Sequence, residues 1–138
     1  MKRILAAFVA VTLLPALSPA AGGEAEKAAV SASEAWLAIV DAGKYGQSWE
    51  AAAGLFRQAL TKPQWEEAVG KARAPLGRVL SRKLGGSQFT TKLPGAPAGE
   101  YVVIQYSTDF ENRKGVTETV TPMKDPDGTW RVSGYYVK

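Results

Sequence analysis

The last third of the chain alternates. From Tyr101 to Phe110, Val102, Ile104, Tyr106, Thr108 and Phe110 fall on one side of an extended segment and Tyr101, Val103, Gln105, Ser107 and Asp109 on the other, the period of two of a half-buried strand. Two more runs of β-branched and aromatic residues follow, Val116 to Met123 and Thr129 to Val137. The breaks between them, Asn112-Arg113-Lys114-Gly115 and Asp125-Pro126-Asp127-Gly128, are turn-formers, so the three runs predict an antiparallel meander. The same period places Trp130, Val132, Gly134 and Tyr136 on the covered face of the last strand, and Arg131, Ser133, Tyr135 and Val137 on the opposite, outer one.

Upstream the period changes to that of a helix. Ala29, Val30, Trp36, Leu37, Ile39 and Val40 predict a helix over 26–41, preceded by a loose tail of small residues over 21–24 and ended by Gly43 and Gly46. Ser48 stands as an N-cap before Trp49, Ala52, Ala53, Leu55, Phe56 and Leu60, which predict a second helix over 49–60. Thr61-Lys62-Pro63-Gln64 spells a capping box with proline in the first turn, so a third helix starts near Lys62 and stops before Pro75. Arg78 to Leu84 and Gln88 to Leu93 predict a strand, or a strand pair, across Gly85-Gly86. The fold class is therefore α+β: three N-terminal helices packed on one face of a curved antiparallel sheet of four to five strands.

That layout resembles the nuclear-transport-factor-2-like, or cystatin-like, roll. In finer detail, Arg73-Ala-Pro-Leu-Gly77, Ser81-Arg82-Lys83-Leu84, Leu93-Pro-Gly-Ala-Pro97, Gly99-Glu-Tyr-Val-Val103, Glu118-Thr-Val120 and Gly128-Thr-Trp-Arg-Val-Ser-Gly-Tyr-Tyr136 together resemble the bacterial secreted proteins grouped as domain-of-unknown-function family 4019. The resemblance implies a small exported bacterial domain. It implies no activity, substrate or catalytic residue.

The N-terminus agrees with export. Met1-Lys2-Arg3, the apolar run from Ile4 to Leu17 and Ser18-Pro19-Ala20 have the three parts of a Sec-type signal peptide. Its apolar part is shorter than the roughly 20 residues of a membrane helix. The expected division is a cleaved leader over 1–20 and a single domain over 21–138, periplasmic or secreted, with no transmembrane anchor after cleavage. The formal net charge is +4, and two of those positive charges, Lys2 and Arg3, belong to the leader, so no nucleic-acid partner is expected. One run, Lys71, Arg73, Arg78, Arg82 and Lys83, contains no acid; it reads as a solvated positive face or as a surface for an anionic partner.

Composition narrows the chemistry. With no histidine and no cysteine, the usual zinc sites, serine-histidine triads, thiol nucleophiles and disulfides are excluded, and no cofactor is called for. Glu118 is the leading candidate: it shares a strand side with Val116 and Val120, which turns it toward an apolar layer where a carboxylate needs a partner, Arg131 or Arg82. Asp109 and Glu111 flank a strand end as a second acidic pair, and Asp125 and Asp127 are too few for a calcium loop.

The expected function is a non-catalytic protein-interaction or self-association module of the cell envelope, its partner an envelope protein or a second copy, with Tyr135 and Val137 on the outer sheet face as the interface. The alternative is a small-ligand binding module with a pocket between helices and sheet, contacted by Glu118, Arg131, Arg82 and Tyr106. A third reading, the weakest, makes Glu118 or Asp109 the general base of an enzyme.

Overall fold

The structure, a computed structural model, describes residues 19–138, with side chains from Gly23 onward. The leader expected over 1–20 therefore lies outside the described residues except for its last two. Helix α1 spans Pro19–Asp41, so the segment expected to be a loose tail is helical. Ala29, Ser33, Trp36, Leu37 and Val40 are its buried side chains, spaced at 4, 3, 1 and 3 residues along one stripe that lies across all four strands.

The chain turns at Gly43, whose φ of 78° favours glycine, and enters α2 (Tyr45–Glu50), α3 (Gly54–Ala59) and α4 (Lys62–Arg73). The helix expected over 49–60 is two short ones. The reason is tertiary: the amide of Ala53 leaves the helical ladder and donates to Val132 O at 2.8 Å, tying the break to the edge of the sheet. Ser48, expected to be an N-cap, is a buried residue within α2. Its backbone carbonyl accepts from Trp36 Nε1 at 2.8 Å and its hydroxyl from Trp65 Nε1 at 2.9 Å, so one serine satisfies two core indoles. The capping box of α4 forms as expected, with Gln64 N donating to Thr61 Oγ1 at 3.3 Å and Thr61 N to Gln64 Oε1 at 2.9 Å.

Four strands follow, β1 (Val79–Thr90), β2 (Tyr101–Phe110), β3 (Arg113–Lys124) and β4 (Trp130–Val137), antiparallel in the order β1-β2-β3-β4. Gly115 and Gly128, with φ of 69° and 86°, close the two hairpins of the meander. β1 is one continuous strand across Gly85-Gly86, with Leu80 and Gly85 as extra residues opposite β2. Val102, Ile104, Tyr106, Thr108 and Phe110 of β2 are all buried beneath the helices, as their period predicts.

β4 departs from simple alternation. Val132 pairs with Pro122 but Gly134 pairs with the next residue, Thr121, so Ser133 is a bulge and the strand changes phase there. Its hydroxyl donates back to Thr121 O at 2.7 Å. After the bulge Tyr135 and Val137 point toward the helices, at 1% and 6% exposure, and Tyr136 takes the outer face. Tyr135 and Val137, expected at an outer interface, are thus core residues. Tyr135 closes an aromatic cluster with Trp36, Phe56 and Trp65, ring centroids 4.9–6.3 Å apart and mostly edge-on.

Candidate functional site

Beneath the helices one group of polar side chains interrupts the apolar layer. Glu118, between Val116 and Val120 on β3, is fully buried and sits opposite Tyr106 on one side and Val137 on the other. Three donors surround its carboxylate: Arg82 Nε from β1 at 2.8 Å and Thr108 Oγ1 from β2 at 2.6 Å reach Oε1, and the Tyr135 hydroxyl donates to Oε2. Burial demands such partners, since an unpaired carboxylate in this layer would cost several kcal/mol.

From Arg82 the network runs toward solvent. Its Nη1 and Nη2 donate to the two oxygens of Asp41, the last residue of α1, at 2.8 and 3.1 Å, a two-pronged pair. Arg73, the last residue of α4, donates Nη2 to Asp41 Oδ1 at 2.8 Å, and its guanidinium carbon lies 5.0 Å from the centre of the Phe110 ring. The chain Tyr135, Glu118, Arg82, Asp41, Arg73 therefore joins α1, α4 and strands β1, β3 and β4 through two carboxylates and two guanidiniums. Tyr106 flanks it, 6.0 Å below the Arg82 guanidinium carbon, its hydroxyl 2.5 Å from that of Ser33 on α1.

The charges tune one another. Burial alone would raise the Asp41 carboxyl, but the hydrogen bonds and charges of Arg82 and Arg73 outweigh it and hold the carboxyl below its ordinary value. Burial works to lower both guanidiniums, yet Arg82 is raised by Asp41 and Glu118, and Arg73 by Tyr135, Asp41 and Glu118. Tyr135 is pushed well above the ordinary tyrosine range, first by burial and then by the charge of Glu118. The network is neutral as a whole. Its deepest carboxylate is enclosed by donors that belong to the protein, so Glu118 presents no open side to a substrate.

Arg131 takes no part. It pairs with Met123 on the outer side of the sheet, five positions along β3 from Glu118, and its guanidinium binds Asp125 at 3.0 Å and Asp127 at 3.0 Å within the β3–β4 hairpin. The Arg131 hydrogen bonds, with that from Thr129 N, hold Asp127 down to about 2. Asp109 accepts from Gly115 N at 2.8 Å, and Glu111 binds the Arg78 amide and guanidinium, so the second acidic pair shapes a turn and a surface ion pair. Among the described residues no cluster of three acidic side chains could hold a metal ion. The basic run is no uniform face: Lys71 pairs with Glu67, Arg78 with Glu111, and Arg73 and Arg82 turn inward to Asp41.

Two members of the network, Asp41 and Arg73, were not singled out from the sequence as site residues. Each carried a signal. Arg73 continues the inward stripe of Trp65 and Val69 at intervals of four, and Asp41 is an acid at a helix C-terminus, where the macrodipole disfavours it.

Among the described residues no helix is long and apolar enough to cross a membrane. No curated protein matches the chain, and no solved structure does. One family model covers residues 32–135, from the middle of α1 through Tyr135 and so including every member of the ion network. With three quarters of its length matched, the chain belongs to the family described as Protein of unknown function (DUF4019).

Proposed function

We propose that the chain is an exported, non-catalytic binding domain of the bacterial envelope, built on a nuclear-transport-factor-2-like roll, that engages another protein chain through the outer face of its sheet. Export rests on the leader pattern of residues 1–20, and the roll on helices followed by a meander whose one face they cover. The observation that carries the reading is the contrast between the two faces. On the inner side Glu118, the first candidate for a general base, is fully buried, and Tyr106, a candidate ligand contact, is 3% exposed. On the outer side Gln105 and Ser107 are exposed and Val103, Thr117 and Thr119 are half-buried, and none of the five belongs to the core cluster.

A face of short hydroxyl and amide side chains around a tyrosine suits a protein partner better than a membrane or a nucleic acid. Tyr101 and the loop of residues 93–99 close one end of it, the tyrosine hydroxyl donating to Pro97 O at 2.7 Å. The pocket alternative loses most of its contacts, because Glu118 and Tyr106 are enclosed and Arg131 lies elsewhere.

Native mass spectrometry of protein recovered gently from its host compartment tests the reading. The expected spectrum contains a dimer or a complex with a second protein, and Thr119→Arg, in the middle of the face, depletes it. A monomer of leaderless mass, with no partner captured by cross-linking, would remove the proposal.

A further inference from the structure

Arg73 is an unusually incomplete group. Its side chain is only 6% exposed, and of its three nitrogens Nη2 alone has an acceptor; Nε and Nη1 are buried with no hydrogen-bond partner among the described residues. A guanidinium carries five donors, and buried donors left unmatched are destabilising. The Arg82 guanidinium meets the same Asp41 carboxylate, sharing Oδ1 with Arg73.

The two kinds of partner differ in how firmly they are held. Arg82 is fixed from behind by Glu118, and Arg73 lies against Phe110; their side chains are 15% and 6% exposed. Asp41 is 27% exposed, sits at the negative end of α1, and is followed within two residues by the Gly43 turn. The arginines form the frame and the aspartate its cover.

We infer that Arg73 and Arg82 form a binding site for a small oxyanion, a phosphate or carboxylate group, whose place Asp41 takes in the unliganded protein. When Asp41 withdraws, Arg82 Nη1 and Nη2 and Arg73 Nη2 are released together, three donors that already converge on one carboxylate. Two guanidiniums already oriented by Glu118 and Phe110 suit a planar or tetrahedral oxyanion, which each can grip at two points. With Asp41 in place the four charges cancel, so a ligand must compete with an internal carboxylate; replacing Asp41 by asparagine leaves one positive charge in excess.

The test is an NMR titration of the folded protein that follows the arginine side-chain Nε–H resonances. Sodium phosphate and sodium acetate are added in separate arms, at an ionic strength held constant with sodium chloride. The Arg73 Nε–H resonance is expected to move saturably in at least one arm, the better arm naming the ligand class. Asp41→Asn is expected to tighten that binding at least tenfold, and Arg73→Lys to abolish it. If the Arg73 resonance moves in neither arm, or moves equally with chloride, the donors hold water only and the site is refuted; this wild-type titration decides even should Asp41→Asn fail to fold.

Discussion

Removing the Arg82 side chain is the sharpest probe of the buried network. Arg82→Met keeps much of the aliphatic stem but takes away the Nε bond to Glu118 and both bonds to Asp41. Asp41 keeps Arg73 and some solvent, so its loss is modest. Glu118 has no exposure at all and would be left with hydroxyl donors but no hydrogen-bonded counter-charge, Arg73 acting on it only from a distance. Stranding one member of a buried ion pair costs about 3–5 kcal/mol. With a urea dependence of about 1.5 kcal/mol per M for a domain of this size, the unfolding midpoint should fall by about 2–3 M. The double variant Arg82→Met with Glu118→Gln removes both charges while leaving a carbonyl to accept from one of the Thr108 and Tyr135 hydroxyls and an amide N–H to donate to the other, and should be more stable than Arg82→Met alone by about 2 kcal/mol. A loss below about 1 kcal/mol for the single variant, or strictly additive losses in the double, would show that the network does not bear on stability as argued.

Three further outcomes are expected. The Asp41 carboxyl is held below its ordinary value of 3.8, so its stabilisation is complete above that pH and drains away as the pH falls through the lower folded value; Asp41→Asn should flatten this acid limb of a stability–pH curve followed by circular dichroism, and an unchanged limb would contradict the assignment. Tyr135 is raised well above 10, so above about pH 10 the unfolded chain loses this proton first and stability falls; ultraviolet titration of phenolate should show one tyrosine ionising only with unfolding, an event that Tyr135→Phe deletes. Thr61→Ala removes the side-chain acceptor for Gln64 N at the start of α4 and should cost about 1 kcal/mol in urea denaturation, with no loss at all counting against the capping box.

What the sequence makes legible here is whatever its neighbours in the chain decide. The capping box needs only Thr61 and Gln64, and the inner face of β2 needs only the alternation from Val102 to Phe110, so both read correctly. The break between α2 and α3 depends on Val132 offering a carbonyl from a strand about eighty residues away, which no local pattern announces. β4 failed for a different reason. Trp130, Val132 and Tyr136 gave a plausible apolar stripe, and the bulge at Ser133 that re-phases Tyr135 and Val137 is set by pairing with Thr121 and Pro122. The candidate site was half legible: period two pointed Glu118 inward and named Arg82 as one of two partners, but choosing it over Arg131 required the sheet order, and finding Arg73 and Asp41 required knowing that two helix ends meet above β1.

The aromatic cluster has an optical consequence. Trp36 and Trp65 lie 5.8 Å apart with their planes inclined at 36°, and both contact the ring of Tyr135. Aromatic rings held in a fixed asymmetric arrangement give near-ultraviolet circular dichroism bands that average away when the rings are mobile, so this cluster should give a near-ultraviolet signature of its packing. Because one indole comes from α1, the other from α4 and the phenol from β4, that signature exists only when all three elements have docked. The protein thus contains its own gauge of tertiary assembly, readable without a label and separable from the far-ultraviolet signal of helices that have formed but not yet met the sheet.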